Sequence, residues 1–536
     1  MAAETFGALS LVPPLLAIGL AILTRKAVPS LFVGVWAGAV IFTGGLGVVQ
    51  TFDWIVAAII ADDGFQATII VFTLLLGSGV AMVWNLGGSY AVRDWAIEHL
   101  DTQRKAGLAA WVLGLIMFFD DYANTAIVGS SMKDVSDELR VSREKLSYIV
   151  DSTAAPVATL GISSWVAFQL GLISDAYGEL GLASAPSAFE VFVRSIPFNA
   201  YSLLAIVMVL IVVASRRDFG EMLDAEHRSY TTGAVNREDA VPMQDVKDDL
   251  GEPHAENPRL INFFAPVATL IAVTLGAALW TGGLSAGAFA ADPLGALWEA
   301  MTGADYAGAL VYGSFAMVLS GFALGKVYDI LDFGEATDAT IDGFGIMLTA
   351  VTVLVLAWSI GEVVSALGTA EYVEGFIGEG FPAAVLPVVV LLFAAFVAFS
   401  TGTSWGAMGI ITPVAIPVAW SVTGDHTMVA AVVGAVFSGA IFGDHTSPIS
   451  DTTVLSATFT GADLIDHVRT QLYYAVTVVV VAILVLLAWG VTGVTPLVWL
   501  PLGALALVGL VYGLSELDAR RKGVSPIATD SSQREK

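Results

Sequence analysis

Long apolar runs alternate with short polar gaps along almost the whole chain. The runs fall near 7–24, 30–50, 68–88, 107–119, 147–172, 195–214, 260–281, 307–325, 344–367, 384–399, 427–442, 471–491 and 496–514. Many approach the roughly 20 residues a helix needs to cross a hydrocarbon core of about 30 Å. The pattern predicts an all-α polytopic membrane protein. A soluble chain with many buried helices does not explain so many runs of that length.

One interruption stands out. Residues 443–453 read Gly-Asp-His-Thr-Ser-Pro-Ile-Ser-Asp-Thr-Thr, straight after the apolar stretch Thr427 to Phe442. Asp444, His445 and Asp451 thus fall at membrane depth, where a charge costs roughly 2.5–3.5 kcal/mol and usually marks an ion path. Pro448 and the hydroxyls of Thr446, Ser447, Ser450, Thr452 and Thr453 predict a helix broken here. Such breaks free carbonyls and half-helix ends, from which transporters build cation sites.

The basic residues sort the gaps by side. Arg25, Lys26, Arg93, Arg104, Lys105, Lys133, Arg140, Arg143, Lys145, Arg216, Arg217, Lys326, Arg469 and Arg520 to Lys522 fall in one set of gaps. The gaps 51–67, 282–306, 368–383, 421–426 and 492–495 hold no Lys or Arg, and 173–193 has none before Arg194. The positive-inside rule makes the first set cytoplasmic and the second external. The N-terminus is then external, and the C-terminus cytoplasmic, in a multi-pass protein of the cell membrane. Met1 to Thr5 lacks a basic start, so the first run is expected to stay as a helix.

Both flanks of Ala106–Met132 are basic, yet its middle is Asp120-Asp121-Tyr122-Ala123-Asn124-Thr125. Entry and exit on one side with a polar tip predict a re-entrant hairpin at about 106–133, which must line protein or water. The plain alternative, one long tilted helix with two buried acids, would force the Lys133–Lys145 cluster outside. A second hairpin is expected at about 384–420. Its tip is Ser400-Thr401-Gly402-Thr403-Ser404-Trp405-Gly406, and both its flanks lack Lys and Arg.

A shift of 281 residues lays Gly77–Val92 over Trp358–Val373 and Asp120–Thr125 over Thr401–Gly406. Five spans and one hairpin per half is an odd number of crossings, so the second half should be inverted. The expected organisation is repeat one at 1–214, a cytoplasmic acidic linker at 215–259, repeat two at 260–495, one extra C-terminal helix at 496–515 and a tail at 516–536. The linker has eleven acids and six bases and reads as a flexible tether. The tail after Gly523 reads as disordered.

Composition narrows the chemistry. The chain is 56% hydrophobic and 13% charged, with a net charge of −26 and no cysteine. Thiol chemistry and disulfides are excluded. No basic patch exists for nucleic acid. An acidic surface with eight lysines fits a salt-rich, halophilic setting. No P-loop, H-E-x-x-H or G-x-S-x-G occurs, so neither ATP-driven transport nor a common hydrolase is expected. No cofactor is expected.

Candidate ligands come from four discontinuities. The first tip offers Asp120, Asp121, Asn124 and Thr125; the next span is expected to break at Asp151-Ser152-Thr153-Ala154-Ala155-Pro156. The second tip offers Ser400, Thr401, Thr403 and Ser404, and the last is the 443–453 motif, with Asp444, His445, Thr446, Ser447, Ser450, Asp451 and Thr452. Pro156 and Pro448 give a mechanical reason for each break. Alkali cations want oxygens, and a proton wants a carboxylate with a raised pKa. One carboxylate can serve both in competition. Asp121, Asp444 and Asp451 are the foremost Na+ candidates. Asp151 fits an entrance role as well as ligation, and Glu362 is another intramembrane acid. His445 could titrate near neutral pH or cap a helix. Trp405 reads as tip packing.

The run Phe442-Gly443-Asp444-His445-Thr446-Ser447-Pro448-Ile449-Ser450-Asp451-Thr452-Thr453 resembles the signature of the NhaC-type sodium/proton antiporters. So do Asp120 to Thr125 and the stretch Ser142-Arg143-Glu144-Lys145-Leu146 through Asp151 to Pro156. The resemblance covers roughly 68–460; cysteine commonly stands in the family where Thr446 stands here. It implies exchange of Na+ for H+ on an inverted-repeat fold. Relatives with similar signatures move organic acids or amino acids, such as malate against lactate, so a Na+- or H+-coupled organic solute exchanger is the alternative. A homodimer, holding a fixed scaffold against a moving unit, is supported by analogy alone.

Overall fold

The computed structural model describes residues 6–528 except 25–26, 61–63, 119–120, 162, 181, 183–184, 242–253, 256, 370–371, 373–381 and 449. Among the described residues the regular elements are all helices. Eight are long and apolar enough to cross a membrane, or up to ten spans if each of two bent pairs counts as one. One bend separates Ala27–Thr43 from Val48–Ile60 by 118°, and the other, of 50°, lies before Ala200–Ser215. The apolar runs thus become helices, with one correction in the gap expected at 51–67. Val48–Ile60 buries Thr51, Trp54 and Ala58 and exposes Val49, Phe52 and Val56. The spacing of those buried residues is that of one helical face.

Helix order repeats along the chain. Gln103–Ile116 and Asp121–Glu138 are followed by Arg143–Ala158 and Ser164–Leu180. In the second half Leu386–Thr401 and Ser404–Thr423 are followed by His426–Thr446 and Asp451–Thr460. Glycines allow these elements to touch. A Cβ at Gly439 or Gly443 would lie 2.1 or 2.3 Å from the carbonyl oxygens of Leu391 and Ala395, and one at Gly114 would lie 2.2 Å from Thr153 Oγ1. Small residues at such crossings let backbones approach where lipid supplies no hydrophobic drive.

The two ends of the segment 103–140 meet. Gln103 Nε2 donates to the Arg140 carbonyl at 2.6 Å, and Arg93 pairs with Asp134 at 3.3 Å. A polypeptide that leaves and returns to one end of the molecule has this geometry.

The second break occurs as expected: His426–Thr446 ends, residues 447, 448 and 450 are non-helical, and Asp451–Thr460 begins under a Ser450 cap. The first does not fall at 151–156. Arg143–Ala158 runs through Asp151 and Pro156 and ends two residues later. Proline removes one donor, and here the helix closes within the next turn through Thr159 N to Ala155 O at 3.2 Å.

The linker is also more structured than a tether. Glu221–Thr232 is a helix that buries Met222, Leu223, Ala225 and Glu226. Glu226 accepts from Ser142 N and Oγ at 2.8 and 2.7 Å, Arg228 reaches Glu144 at 2.9 Å, and Asn236 reaches the Gly461 carbonyl at 3.1 Å. Its charges have partners at helix ends, which composition does not reveal. The last helix, Pro496–Lys522, passes the expected end at 515. Beyond it, His227 reaches the Ser525 carbonyl at 2.7 Å, so residues 524–528 dock on the linker helix; 529–536 lie outside the described residues.

Candidate functional site

Asp444 is fully buried in the last turn before the 447–450 break. Its carboxylate accepts from Ser450 Oγ at 2.8 Å and from Thr452 Oγ1, both on the far side of the break. Thr453 Oγ1 donates to the Asp444 carbonyl and to Asp151 Oδ2, each at 3.3 Å. One hydroxyl therefore ties the two buried acids together.

Asp151 is the centre of a second set. Gln471 Nε2 donates to it at 2.6 Å and to the His445 carbonyl at 2.8 Å. Ser456 Oγ donates at 3.3 Å, and His467 Nε2 lies 3.3 Å away. Three helices converge here: Arg143–Ala158, Asp451–Thr460 and Leu464–Thr492. His445 Nδ1 shares a hydrogen bond with the Tyr201 hydroxyl at 3.1 Å, while its buried Nε2 has no hydrogen-bond partner among the described residues.

The first tip forms its own group. Asp121 is fully buried and accepts from Trp165 Nε1 at 2.9 Å. Asn124 Nδ2 donates to the carbonyls of Gly114 and Thr153 at 2.8 and 2.9 Å, and its buried Oδ1 has no partner among the described residues. Trp165 packs on Trp405 with ring centres 5.3 Å apart, so aromatic rings join the two tips. Trp405 is packing at the tip, as expected.

The remaining candidates hold the frame. Ser447 Oγ donates to the Phe399 carbonyl at 2.8 Å and Ser404 Oγ to the Ala440 carbonyl at 3.2 Å, fastening the 386–423 pair to the broken span. Thr403 caps Ser404–Thr423 through Gly406 N. Thr125, Thr153 and Thr446 bond carbonyls within their own helices. Ser152 is buried beside Asp151, and Glu362 is half-buried on Phe333–Leu367. Asp120 and the side chains of Thr401 and Asp451 lie outside the described residues.

The geometry adds residues that pattern reading passed over: Gln471, His467, Ser456, Tyr201 and Trp165. His467 and Gln471 stand four apart, hence on one helical face. That spacing of two polar side chains at the start of an apolar run was the available signal. Chemically, the arrangement offers two buried carboxylates set among hydroxyls, amides and carbonyls. Hydroxyls can donate to a carboxylate or turn a lone pair toward a cation.

A model of the Na+/H+ antiporter family matches residues 157–491. An uncharacterised protein of Haemophilus influenzae is 32% identical over 481 residues, 88% of this chain and 88% of its own length. The malate-2H(+)/Na(+)-lactate antiporter of Bacillus subtilis is 31% identical over 176 residues, which are 32% of this chain and 35% of its own. Among solved structures, the YdaH transporter of Alcanivorax borkumensis aligns over 84% of this chain and 90% of its own, with a TM-score of 0.55 at 15% identity. At that identity the likeness concerns the fold alone.

Proposed function

This chain belongs to the Na+/H+ antiporter family, and on that premise we propose that it exchanges Na+ for H+ across the cell membrane. Asp444 and Asp151 bind cation and proton in competition, with Asp121 as a further carboxylate on the path. The observation that carries this reading is the buried Asp444 carboxylate, bonded by Ser450 and Thr452 across a helix break. Hydroxyls that donate to the empty carboxylate can turn their oxygens toward an entering Na+. Carbonyls at the break add hard oxygen ligands. A protonated carboxyl presents less negative charge to the ion, so each state excludes the other.

The topology belongs to the same proposal. The two halves are inverted repeats, the segments near 106–133 and 384–420 are re-entrant hairpins, and the basic end of the molecule is cytoplasmic. The meeting of Gln103 with Arg140 supports the first hairpin.

Reconstituted in liposomes under an imposed pH gradient, the protein should move protons when Na+ alone is added. Below the carboxylate pKa, the KM for Na+ should rise about tenfold per pH unit, as competition for one site requires. The likeness to a malate/lactate antiporter favours a second reading, Na+- or H+-coupled exchange of an organic solute. Transport elicited only by an organic acid or amino acid would establish that reading and reject the first.

A further inference from the structure

A cavity of about 480 Å3 opens between four helices away from the Asp444 cluster. Its walls include Tyr122 and Ala126 of Asp121–Glu138, Leu455 and Phe459 of Asp451–Thr460, and Asp342 of Phe333–Leu367. Tyr122 follows Asp121 directly, and Thr452, which donates to Asp444, lies in the first turn of the helix bearing Leu455. The cavity therefore borders the two helices that carry Asp121 and Thr452.

Its depth can be read from the neighbouring span. Ser78 Oγ donates to the Thr340 carbonyl at 2.8 Å, and a Cβ at Gly343 would lie 2.4 Å from Ser78 Cα. Ser78 precedes the end of the Gln66–Asn85 span by seven residues, or about 10 Å along a helix. Asp342 thus lies alongside an apolar span and not beyond its end. Among the described residues no hydrogen bond or ion pair reaches it. Within a bilayer an unpaired carboxylate costs roughly 2.5–3.5 kcal/mol unless water solvates it. One water needs only about 10–15 Å3, so the cavity has ample room for many.

The approach to it is acidic as well. Asp332 and Glu335 cap the helix start, each accepting from the other's backbone N–H at 2.8 Å. Asp338 and Asp342 follow along the same helix, exposed and with no side-chain partner among the described residues. Helix capping accounts for the first two acids and not for these.

We propose that this cavity is a water-filled vestibule on the cytoplasmic side and that Asp342 is its cation-attracting residue, drawing Na+ toward Asp121 and the 447–450 break. This rests on the cation-exchange reading and on the proposed orientation. A negative charge in a low-dielectric cleft raises local cation concentration, and salt weakens the effect. Asp342 acts on capture, not on the exchange step.

The test uses the full chain, which has no native cysteine. Asp342→Cys should react with membrane-impermeant thiol reagents from the cytoplasmic side only. Asp342→Asn should raise the KM for cytoplasmic Na+ about threefold or more at low ionic strength, with kcat nearly unchanged and a smaller effect in high salt. Asp342→Glu should keep the native KM. On Asp342→Cys, a sulfonate-bearing thiol reagent should restore the KM and a trimethylammonium reagent should not. No reaction from either side, or reaction from the external side, overturns the vestibule. Equal inhibition by both reagents, or an unchanged KM in Asp342→Asn, overturns the role of the charge. Labelling does not depend on the cargo. A chain that moves only organic acids would still label at 342, and slowing by the sulfonate would then overturn cation attraction separately.

Discussion

At the residue scale, Asp444 combines full burial with hydroxyl donors supplied from beyond a helix break. Asp444→Asn keeps the shape and removes both the charge and the titration. A hydrogen bond to a charged group contributes about 1.5–3 kcal/mol, so Na+ affinity should fall about ten- to a hundredfold. The share of proton coupling carried by Asp444 should be lost. Sodium-dependent proton flux in liposomes measures this, alongside a melting curve to verify folding; near-native flux would remove Asp444 from the site. The acids and hydroxyls of 443–453 were legible in sequence because each is out of place in an apolar run. Gln471 and His467 were not, because a polar residue at the edge of a span looks like an interface residue. Only the fold brings Gln471 within 2.6 Å of Asp151.

At the element scale, the helix Glu221–Thr232 joins the start of Arg143–Ala158 to the start of Leu464–Thr492. It does so through Ser142, Glu144 and Arg469. Arg143–Ala158 carries Asp151, so the docking of this helix bears on the site. Burial, reinforced by Asp218, pushes Glu226 up to about 7 from an ordinary 4.5, while Lys145 and the Ser142 bonds pull the other way. The docked state then holds a proton that the undocked state releases between those two values. Docking is therefore favoured at low pH and weakens as pH rises through this window to about 7. Relative to the intrinsic rise of amide exchange with pH, hydrogen exchange at residues 221–232 should quicken between pH 4.5 and about 7. Glu226→Gln should flatten that dependence, and equal pH dependence in both proteins would rule out Glu226 as its source. Composition could not disclose the docking, since a paired charge and a solvated one have the same letter. The position of the first break was missed for a related reason. Pro156 sits near a helix end, and whether a helix stops before or after its proline is decided by what the freed carbonyls meet.

At the scale of the whole molecule, the contacts Arg93–Asp134 and Gln103–Arg140 put both flanks of the first tip at one end. Single cysteines introduced as Arg104→Cys and Asp134→Cys should label from the same side of the membrane. Labelling from opposite sides would replace the hairpin with a spanning helix. Hydrophobicity by itself determined that the chain is a multi-pass helical membrane protein, since about 20 apolar residues have few other stable solutions. Intramembrane polar residues by themselves marked where chemistry belongs, because their cost is local. Pairing across the chain was left to the tertiary structure: Thr453 between Asp151 and Asp444, Trp165 against Trp405, and the linker helix against Ser142. Apart from the Thr453–Asp444 bond, these contacts join residues 84 to 302 positions apart, and no local pattern encodes which helix faces meet. Close packing at Gly114, Gly439 and Gly443, where a side chain would not fit, is part of that choice.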